Sequence, residues 1–182
     1  MGGNLVVHEI FQKEDGELGV RLPASISDFF SKKVFVENSI TIDASMGYKH
    51  VLFDELKNKC GKFSLKIKAG KGVSSFGFLV NYDKEKDYGY AYSFDQRTGL
   101  FNFNVQPNTP WNYANFYNVW RKFDDNQEHI LTIIYDEDVF VAYIDGDKAL
   151  STRVHQVGGT FGLYAMNGVV EFKEIELFTN KL

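Results

Sequence analysis

The sequence predicts an all-β domain, an antiparallel β-sandwich of the jelly-roll type. About a dozen short segments alternate apolar and polar residues, as half-buried strands do, and turns rich in Gly, Asp and Asn separate them. The chain has 17 phenylalanines and 10 tyrosines but only 3 prolines, and aromatic residues favour strands whereas proline is excluded from central ones. With 182 residues, the chain is long enough for one domain, residues 1–182, with its own core.

Charge and hydropathy argue against several functional classes. The formal net charge is −4 and Lys and Arg do not cluster, which argues against nucleic acid or an anionic membrane as a partner. No apolar run approaches the roughly 20 residues that cross a bilayer, and the opening MGGNLVV lacks the basic and apolar regions of a signal peptide. The single cysteine, Cys60, has no partner for an intramolecular disulfide or a cysteine metal site.

The N-terminal half predicts short strands and one short helix. Strands are expected over residues 5–11 and 18–22, the second ended by Pro23. Ser25 and Asp28 have the spacing of a capping box, which predicts a helix over residues 25–31. Further strands are expected over residues 34–44, 48–53 and 76–82.

The clearest strand of the sequence covers residues 62–69. Its apolar residues share one face, and its lysines share the other, as on a strand with a solvated or edge face. The two sets are Phe63, Leu65, Ile67 and Ala69, and Lys62, Ser64, Lys66 and Lys68.

Residues 88–106 predict a β-hairpin, and the rest of the chain is organised around it. Aromatic residues alternate with small ones over 88–95 and with amides over 100–106, and the sequence QRTG at 96–99 supplies the turn. Pairing across this loop sets Asp95 opposite Leu100 and Tyr92 opposite Phe103. One face is then apolar throughout, and the other carries small residues and amides. A slip of one residue would mix the two faces, so the alternation specifies the register.

The C-terminal third predicts further strands over residues 129–135, 139–144, 148–154 and 161–165. Asp145 and Gly146 are typical of a type I′ hairpin turn. In the last strand the apolar alternation shifts by one residue at Lys173 and Glu174, which predicts a β-bulge there.

The loop expected after the hairpin carries both tryptophans of the protein and suggests a ligand site. Aromatic rings can cover the C–H face of a sugar, while amides, carboxylates and arginines can bond its hydroxyls. The predicted ligand residues are Asp95, Arg97, Trp111, Tyr113, Tyr117, Trp120, Arg121, Asp124 and Asp125. The alternative is that the aromatic residues pack into a side core and the arginines form surface ion pairs.

The residue pattern gives little support to catalysis or metal binding. The four histidines are scattered, without HExxH or CxxC, so no transition-metal site is expected. The acidic turns at 136–138 and 145–147 offer oxygen ligands for calcium, but turn chemistry alone accounts for Asp and Gly there. The expectation is therefore no catalytic residue and no cofactor, with calcium as the less favoured alternative.

Four segments of the C-terminal third carry a resemblance to a known group of domains. They are VAYIDG at 141–146, ALSTRV at 149–154, GTFGLY at 159–164 and GVVEF at 168–172. They resemble the concanavalin-like, laminin-G-like β-sandwiches attached to family 32 glycoside hydrolases. Within that group the chain is most similar to the family 66 carbohydrate-binding modules of levanases, and DGELGVRLP at 15–23 resembles segments that lead into such domains. The catalytic signatures of β-fructosidases are absent from the sequence.

This resemblance implies a non-catalytic module that binds β-fructan of the levan type at terminal fructose units. It further implies a glycoside hydrolase catalytic domain in the same parent chain, a monomeric state and an extracellular location. One alternative is a structural sandwich that packs against a propeller catalytic domain without binding sugar, which predicts an exposed apolar patch. A second is a jelly-roll glycanase or lyase, which requires two convergent carboxylates in a cleft.

Overall fold

The structure, a computed structural model, describes residues 7–106, 115–154 and 159–180. These residues form fourteen strands and one helix, α1 (Ala24–Phe29). The strands of the first half are β1 (Glu9–Gln12), β2 (Leu18–Arg21), β3 (Phe30–Asp43), β4 (Tyr48–Glu55), β5 (Cys60–Ala69), β6 (Ser75–Asp83) and β7 (Tyr88–Asp95). Those of the second half are β8 (Leu100–Gln106), β9 (Asn115–Trp120), β10 (Glu128–Asp136), β11 (Val139–Ile144), β12 (Lys148–Arg153), β13 (Thr160–Met166) and β14 (Val169–Asn180).

Two six-stranded antiparallel sheets make up the domain, so the predicted β-sandwich is confirmed. Sheet I has the order β12-β11-β10-β5-β14-β3, and sheet II has the order β4-β13-β6-β7-β8-β9. A small ribbon, β1–β2, is separate from both sheets. The described helix has six residues, and no described helix is long and apolar enough to cross a membrane.

The core between the sheets consists largely of aromatic rings. On β5 the residues Phe63, Leu65 and Ile67 are at most 1% exposed, as the alternation predicts. The Phe63 ring lies 4.7 Å, centroid to centroid, from Phe78 of the other sheet. Burial of one such side chain contributes about 1.5–3 kcal/mol. The lysine face of β5 is the outer face of a central strand, and not an edge, because β5 pairs with both β10 and β14.

The predicted hairpin forms in the predicted register. Strands β7 and β8 pair Asp95 with Leu100 and Tyr92 with Phe103. The predicted Asp-Gly turn forms as well: both Asp145 and Gly146 have positive φ, 50° and 65°.

The predicted bulge in β14 is also present. The pairing of β14 with β5 shifts between Lys173 and Glu176, and Glu174 has a φ of 48°.

Three local predictions need correction. Residues 115–120, expected in a loop, form the edge strand β9, because the backbone of β8 has a free edge to satisfy and β9 pairs with it. The predicted capping box is not formed. Helix α1 begins at Ala24, one residue before the predicted start, and no side chain caps it. The first described strand, β1, runs from Glu9 to Gln12 rather than over residues 5–11, and residues 5 and 6 of the predicted range lie outside the described part.

Candidate functional site

The outer face of sheet II carries the predicted ligand residues that the structure brings together. Because its strands pair in register, one row of opposed residues crosses all six strands: Tyr48, Met166, Ser75, Asp95, Leu100 and Trp120. The next row on the same face is His50, Tyr164, Gly77, Ser93, Asn102 and Asn118. The residues between these rows, such as Phe76 and Phe94, point into the core.

The edge strand β9 presents two aromatic side chains to solvent. Trp120 is 67% exposed and Tyr117 is 54% exposed, so neither belongs to a side core. Trp120 shares the outer face with exposed Asn118, whereas Tyr117 pairs with the core residue Phe103. The predicted ligand residues Trp111 and Tyr113 lie outside the described residues.

The turn between β7 and β8, which carries Asp95 and Arg97 at its start, approaches Trp120 through Gly99. The Asp95 Oδ1 accepts the backbone N–H groups of Arg97 at 2.9 Å and of Thr98 at 3.3 Å. The Arg97 Nη2 lies 3.5 Å from the Asp95 Oδ2, and the arginine is largely exposed. A β-carbon at Gly99 would be in ordinary van der Waals contact with the Trp120 Nε1, at 3.5 Å, so the indole lies against this turn. Asp95 thus orders the turn, and the guanidinium of Arg97 stays accessible.

Arg121 points away from this surface, toward sheet I. Its guanidinium forms an ion pair with Asp145 and lies 3.7 Å from the Asp147 carboxylate. Asp145 also accepts the Ile130 N–H at 2.8 Å, and its Oδ2 lies 2.8 Å from the His129 Nδ1. Arg121 therefore ties the end of β9 to the β11–β12 turn of the opposite sheet.

The hydrogen bonds at Asp145 change its acidity. Burial alone would raise the pKa of the Asp145 carboxyl, but the hydrogen bonds from His129, the Ile130 N–H and Arg121 outweigh it. The pKa of Asp145 is therefore below its ordinary value, and the carboxylate stays ionised near neutral pH.

The predicted pair Asp124 and Asp125 lies on the surface. Both residues are exposed, and the Asp124 Oδ1 is 3.7 Å from the Lys122 Nζ. No described contact joins either carboxylate to Trp120 or to the Asp95 turn.

The small-residue and amide face of the hairpin is present, but its side chains are buried and bond one another. The Ser93 Oγ donates to the Asn104 Oδ1 at 2.8 Å. The Gln106 Nε2 donates to the same oxygen at 3.3 Å and to the Tyr164 hydroxyl at 3.4 Å. The Tyr164 hydroxyl also bonds the Ser75 Oγ at 2.8 Å, and burial raises the pKa of Tyr164 to about 12. This network makes the face a rigid support for the exposed edge.

Near this edge of the sheet, the Asn102 Oδ1 and the Gln96 Nε2 are buried and have no hydrogen-bond partner among the described residues. Asn102 is opposite Asn118 on the neighbouring strand, and Gln96 follows Asp95 in the turn. Such unsatisfied groups are uncommon and call for a partner. Sequence reasoning placed Asn102 on the amide face of the hairpin but included neither Asn102 nor Asn118 among the ligand residues; reading residues 115–120 as a strand would have placed both beside Trp120.

The acidic turns considered for calcium are engaged with cations. The Asp138 carboxylate lies 2.8 Å from Arg153, and Glu137 lies 3.5 Å from Lys59. Asp147 lies within 3.7 Å of both Arg121 and Lys13. Ion pairing and turn geometry account for these carboxylates.

Comparisons with known proteins identify relatives by structure and not by sequence. No family model and no curated protein matches the sequence. A family 66 carbohydrate-binding module from Bacillus subtilis matches 95% of this chain and 92% of its own, with a TM-score of 0.60 and 15% identity. A β-fructofuranosidase from Aspergillus kawachii matches 93% of this chain, with a TM-score of 0.67 and 16% identity. A fructosyltransferase from A. japonicus matches 97%, with a TM-score of 0.67 and 14% identity.

The chain spans nearly the whole module but only 32% of each enzyme. Identities this low establish a shared fold. The resemblance to the accessory β-sandwiches of family 32-type glycoside hydrolases, and to a family 66 carbohydrate-binding module, is therefore confirmed at the level of the fold.

Proposed function

We propose that this domain is a non-catalytic carbohydrate-binding module that tethers a glycoside hydrolase to β-fructan, at terminal fructose units of levan-type chains. The observation that carries the proposal is Trp120, an indole 67% exposed on an edge strand beside Asn118 and the Asp95–Arg97 turn. A flat aromatic face next to amide and guanidinium groups matches a sugar, which has an apolar C–H face and a ring of hydroxyls.

The proposed contact surface uses part of the predicted residue set. Trp120 supplies the platform, Arg97 supplies several fixed donors, and the second oxygen of Asp95 is an acceptor at the same turn. Asn118 adds an amide on the same face, and Tyr117 is exposed on the other face of β9 at the same edge of the sheet. Water or a ligand hydroxyl would also provide a hydrogen-bond partner for the Asn102 Oδ1 and the Gln96 Nε2.

The other predicted residues have different proposed roles. Arg121 positions β9 through Asp145, whereas the exposed Asp124 and Asp125 have no described contact with this surface. Trp111 and Tyr113 keep their predicted role as ligand aromatics. We further propose that the module is monomeric and acts outside the cell, where polymeric fructan and its hydrolase meet.

A specific observation favours a second function, docking onto another domain. An apolar cavity of about 490 Å³ lies between α1 and the outer face of sheet I, lined in part by Ile26, Phe29, Val139 and Val141. Phe29 at its rim is 56% exposed. The structural alternative predicts such an apolar patch, and the patch lies on the sheet opposite Trp120.

Calorimetry of the chain against levan, inulin and an unrelated β-glucan tests the proposal. Trp120→Ala should weaken levan binding about thirtyfold or more, because truncating a central aromatic anchor costs about 2 kcal/mol or more. Phe29→Ala is the matched control, a similarly exposed aromatic on the other sheet, and should leave binding unchanged. If a folded Trp120→Ala variant binds levan as well as the wild type does, Trp120 is not part of the binding site. Absence of glycan binding by the wild type would favour docking instead, and binding to β-glucan alone would contradict fructan specificity.

A further inference from the structure

A second cleft lies on the outer face of sheet I, the side of the domain opposite Trp120. Its volume is about 400 Å³, within the range of about 300–1,000 Å³ typical of small-molecule sites. Its walls include Arg21, the last residue of β2, the following Leu22, and Gly146 of the β11–β12 turn.

The floor of the cleft is formed by two short hydroxyl side chains. One row of paired residues crosses the sheet: Tyr143 on β11, Thr132 on β10, Ser64 on β5 and Glu176 on β14. Thr132 and Ser64 are directly opposed and half-buried, and neighbouring strands lie about 4.8 Å apart. Neither hydroxyl bonds another residue in the described parts of the chain. They form a low, polar strip between larger side chains.

Aromatic rings stand at both sides of this strip. Phe178 is held by Lys62, whose Nζ lies 4.8 Å from the ring centroid and donates to the Ser27 carbonyl and Oγ, both at 3.0 Å. On the other side, the Tyr143 hydroxyl is 3.0 Å from the His8 Nδ1. These contacts hold both rings in place, so the strip lies between fixed apolar walls.

The charged groups of the cleft are mostly paired within the protein. Arg21 forms an ion pair with Glu9, and the Glu176 Oε1 lies 2.5 Å from the Lys33 Nζ. Burial lowers the pKa of Lys62, although the nearby Asp28 and Glu176 act in the opposite direction. A cleft whose charges are internally balanced favours a neutral ligand over an anion.

We infer that this cleft is a second carbohydrate site, for a neutral sugar ring seated on Ser64 and Thr132 between Phe178 and Tyr143. The second oxygen of Glu176 and the Arg21 guanidinium lie where they can bond further hydroxyls. The inference does not rest on the Trp120 site, because the two surfaces belong to opposite sheets. With both sites, one domain would hold two chain segments and gain affinity for a polymer by multivalency.

Amide chemical-shift titrations of the labelled full chain test this inference. The probes are fructose, sucrose, glucose and galactose as neutral sugars, with glucuronate as the anionic comparison. We expect saturable shifts of the Ser64 and Thr132 amides with at least one neutral sugar, and the same shifts in Trp120→Ala. Thr132→Val keeps the shape of the side chain and removes its hydroxyl; it should weaken this binding about three- to tenfold, as should Ser64→Ala.

Thr41→Val is the matched control, since Thr41 is exposed on β3 of the same sheet; it should bind as the wild type does. The inference is overturned if no neutral sugar shifts the Ser64 and Thr132 amides, or if only glucuronate does. It is also overturned if both folded hydroxyl variants bind like the wild type. Shifts confined to the Trp120 surface would support the proposed function and refute the second site. Shifts confined to the cleft would support the second site and count against sugar binding at Trp120.

Discussion

Replacing Asp145 with asparagine should destabilise the domain and loosen the strand that carries Trp120. The Asp145 carboxylate accepts hydrogen bonds from Arg121 and the Ile130 N–H and lies 2.8 Å from the His129 Nδ1. Its φ of 50° is tolerated by asparagine as well as by aspartate, so the turn should survive the change. Asp145→Asn therefore isolates the charge, because the amide keeps one acceptor oxygen but faces Arg121 or His129 with a donor.

The magnitude follows from the burial of this network. Removing one member of a fully buried ion pair costs about 3–5 kcal/mol, and a hydrogen bond to a charged group contributes about 1.5–3 kcal/mol. The Asp145 side chain is 23% exposed, so solvent screens part of the interaction. We expect a loss of about 2–4 kcal/mol in the free energy of unfolding, and a decrease in Tm of about 5–15 °C for a domain of this size.

Urea unfolding and thermal denaturation measure the effect directly. Asp124→Asn is the control, since Asp124 is exposed and its 3.7 Å contact with Lys122 should contribute no more than about 1 kcal/mol. The reasoning is refuted if Asp145→Asn unfolds within about 0.5 kcal/mol of the control, a difference below the contribution of one hydrogen bond. If the ion pair between Arg121 and Asp145 positions β9, glycan affinity at the Trp120 surface should fall together with stability.

Three further predictions concern acid, packing and the polar network. Because the pKa of Asp145 is lower in the folded protein than its ordinary value of about 3.9, its stabilising effect is present above that value and is lost as pH falls through the folded pKa. Between pH 5 and 3, the free energy of unfolding in urea should therefore decrease less for Asp145→Asn than for the wild type. Equal decreases would contradict this prediction. Gly77→Ala should destabilise the domain by about 3 kcal/mol or more, because the new β-carbon would lie 1.9 Å from the backbone oxygen of Tyr92. A thermal unfolding curve like that of the wild type would contradict this close approach of β6 and β7. Tyr164→Phe should cost about 1–2 kcal/mol in urea unfolding, since it removes the hydroxyl bonded to Ser75, and Ser75→Ala in the same background should add little if the two groups form one unit.

The sequence predicted best those features that depend on residues close together in the chain. The register of β7 and β8 follows from the alternation of aromatic and amide residues, because any slip would bury amides among phenylalanines. The bulge at Glu174 is visible as a change of phase within one strand. The type I′ turn at Asp145 and Gly146 follows from two adjacent residues that tolerate positive φ.

The features that sequence reasoning missed depend on distant partners. β9 becomes a strand because β8 has an unpaired edge, and the short run from Asn115 to Trp120 alternates too weakly to indicate it. The hairpin pattern showed that Ser93 and Asn104 share a face, but whether that face is open depends on what packs over it.

Asp145 shows how one residue acquires functions that its neighbours in the chain do not indicate. Local chemistry assigns it to a turn, and the turn forms. The fold then sets its carboxylate beside Arg121, which is 24 residues away, and beside His129 on the adjacent strand. Since Arg121 directly follows Trp120, the turn residue of sheet I is linked to the exposed indole of sheet II by one ion pair. Binding at Trp120 should therefore respond to Asp145 substitutions that leave every proposed sugar contact unchanged.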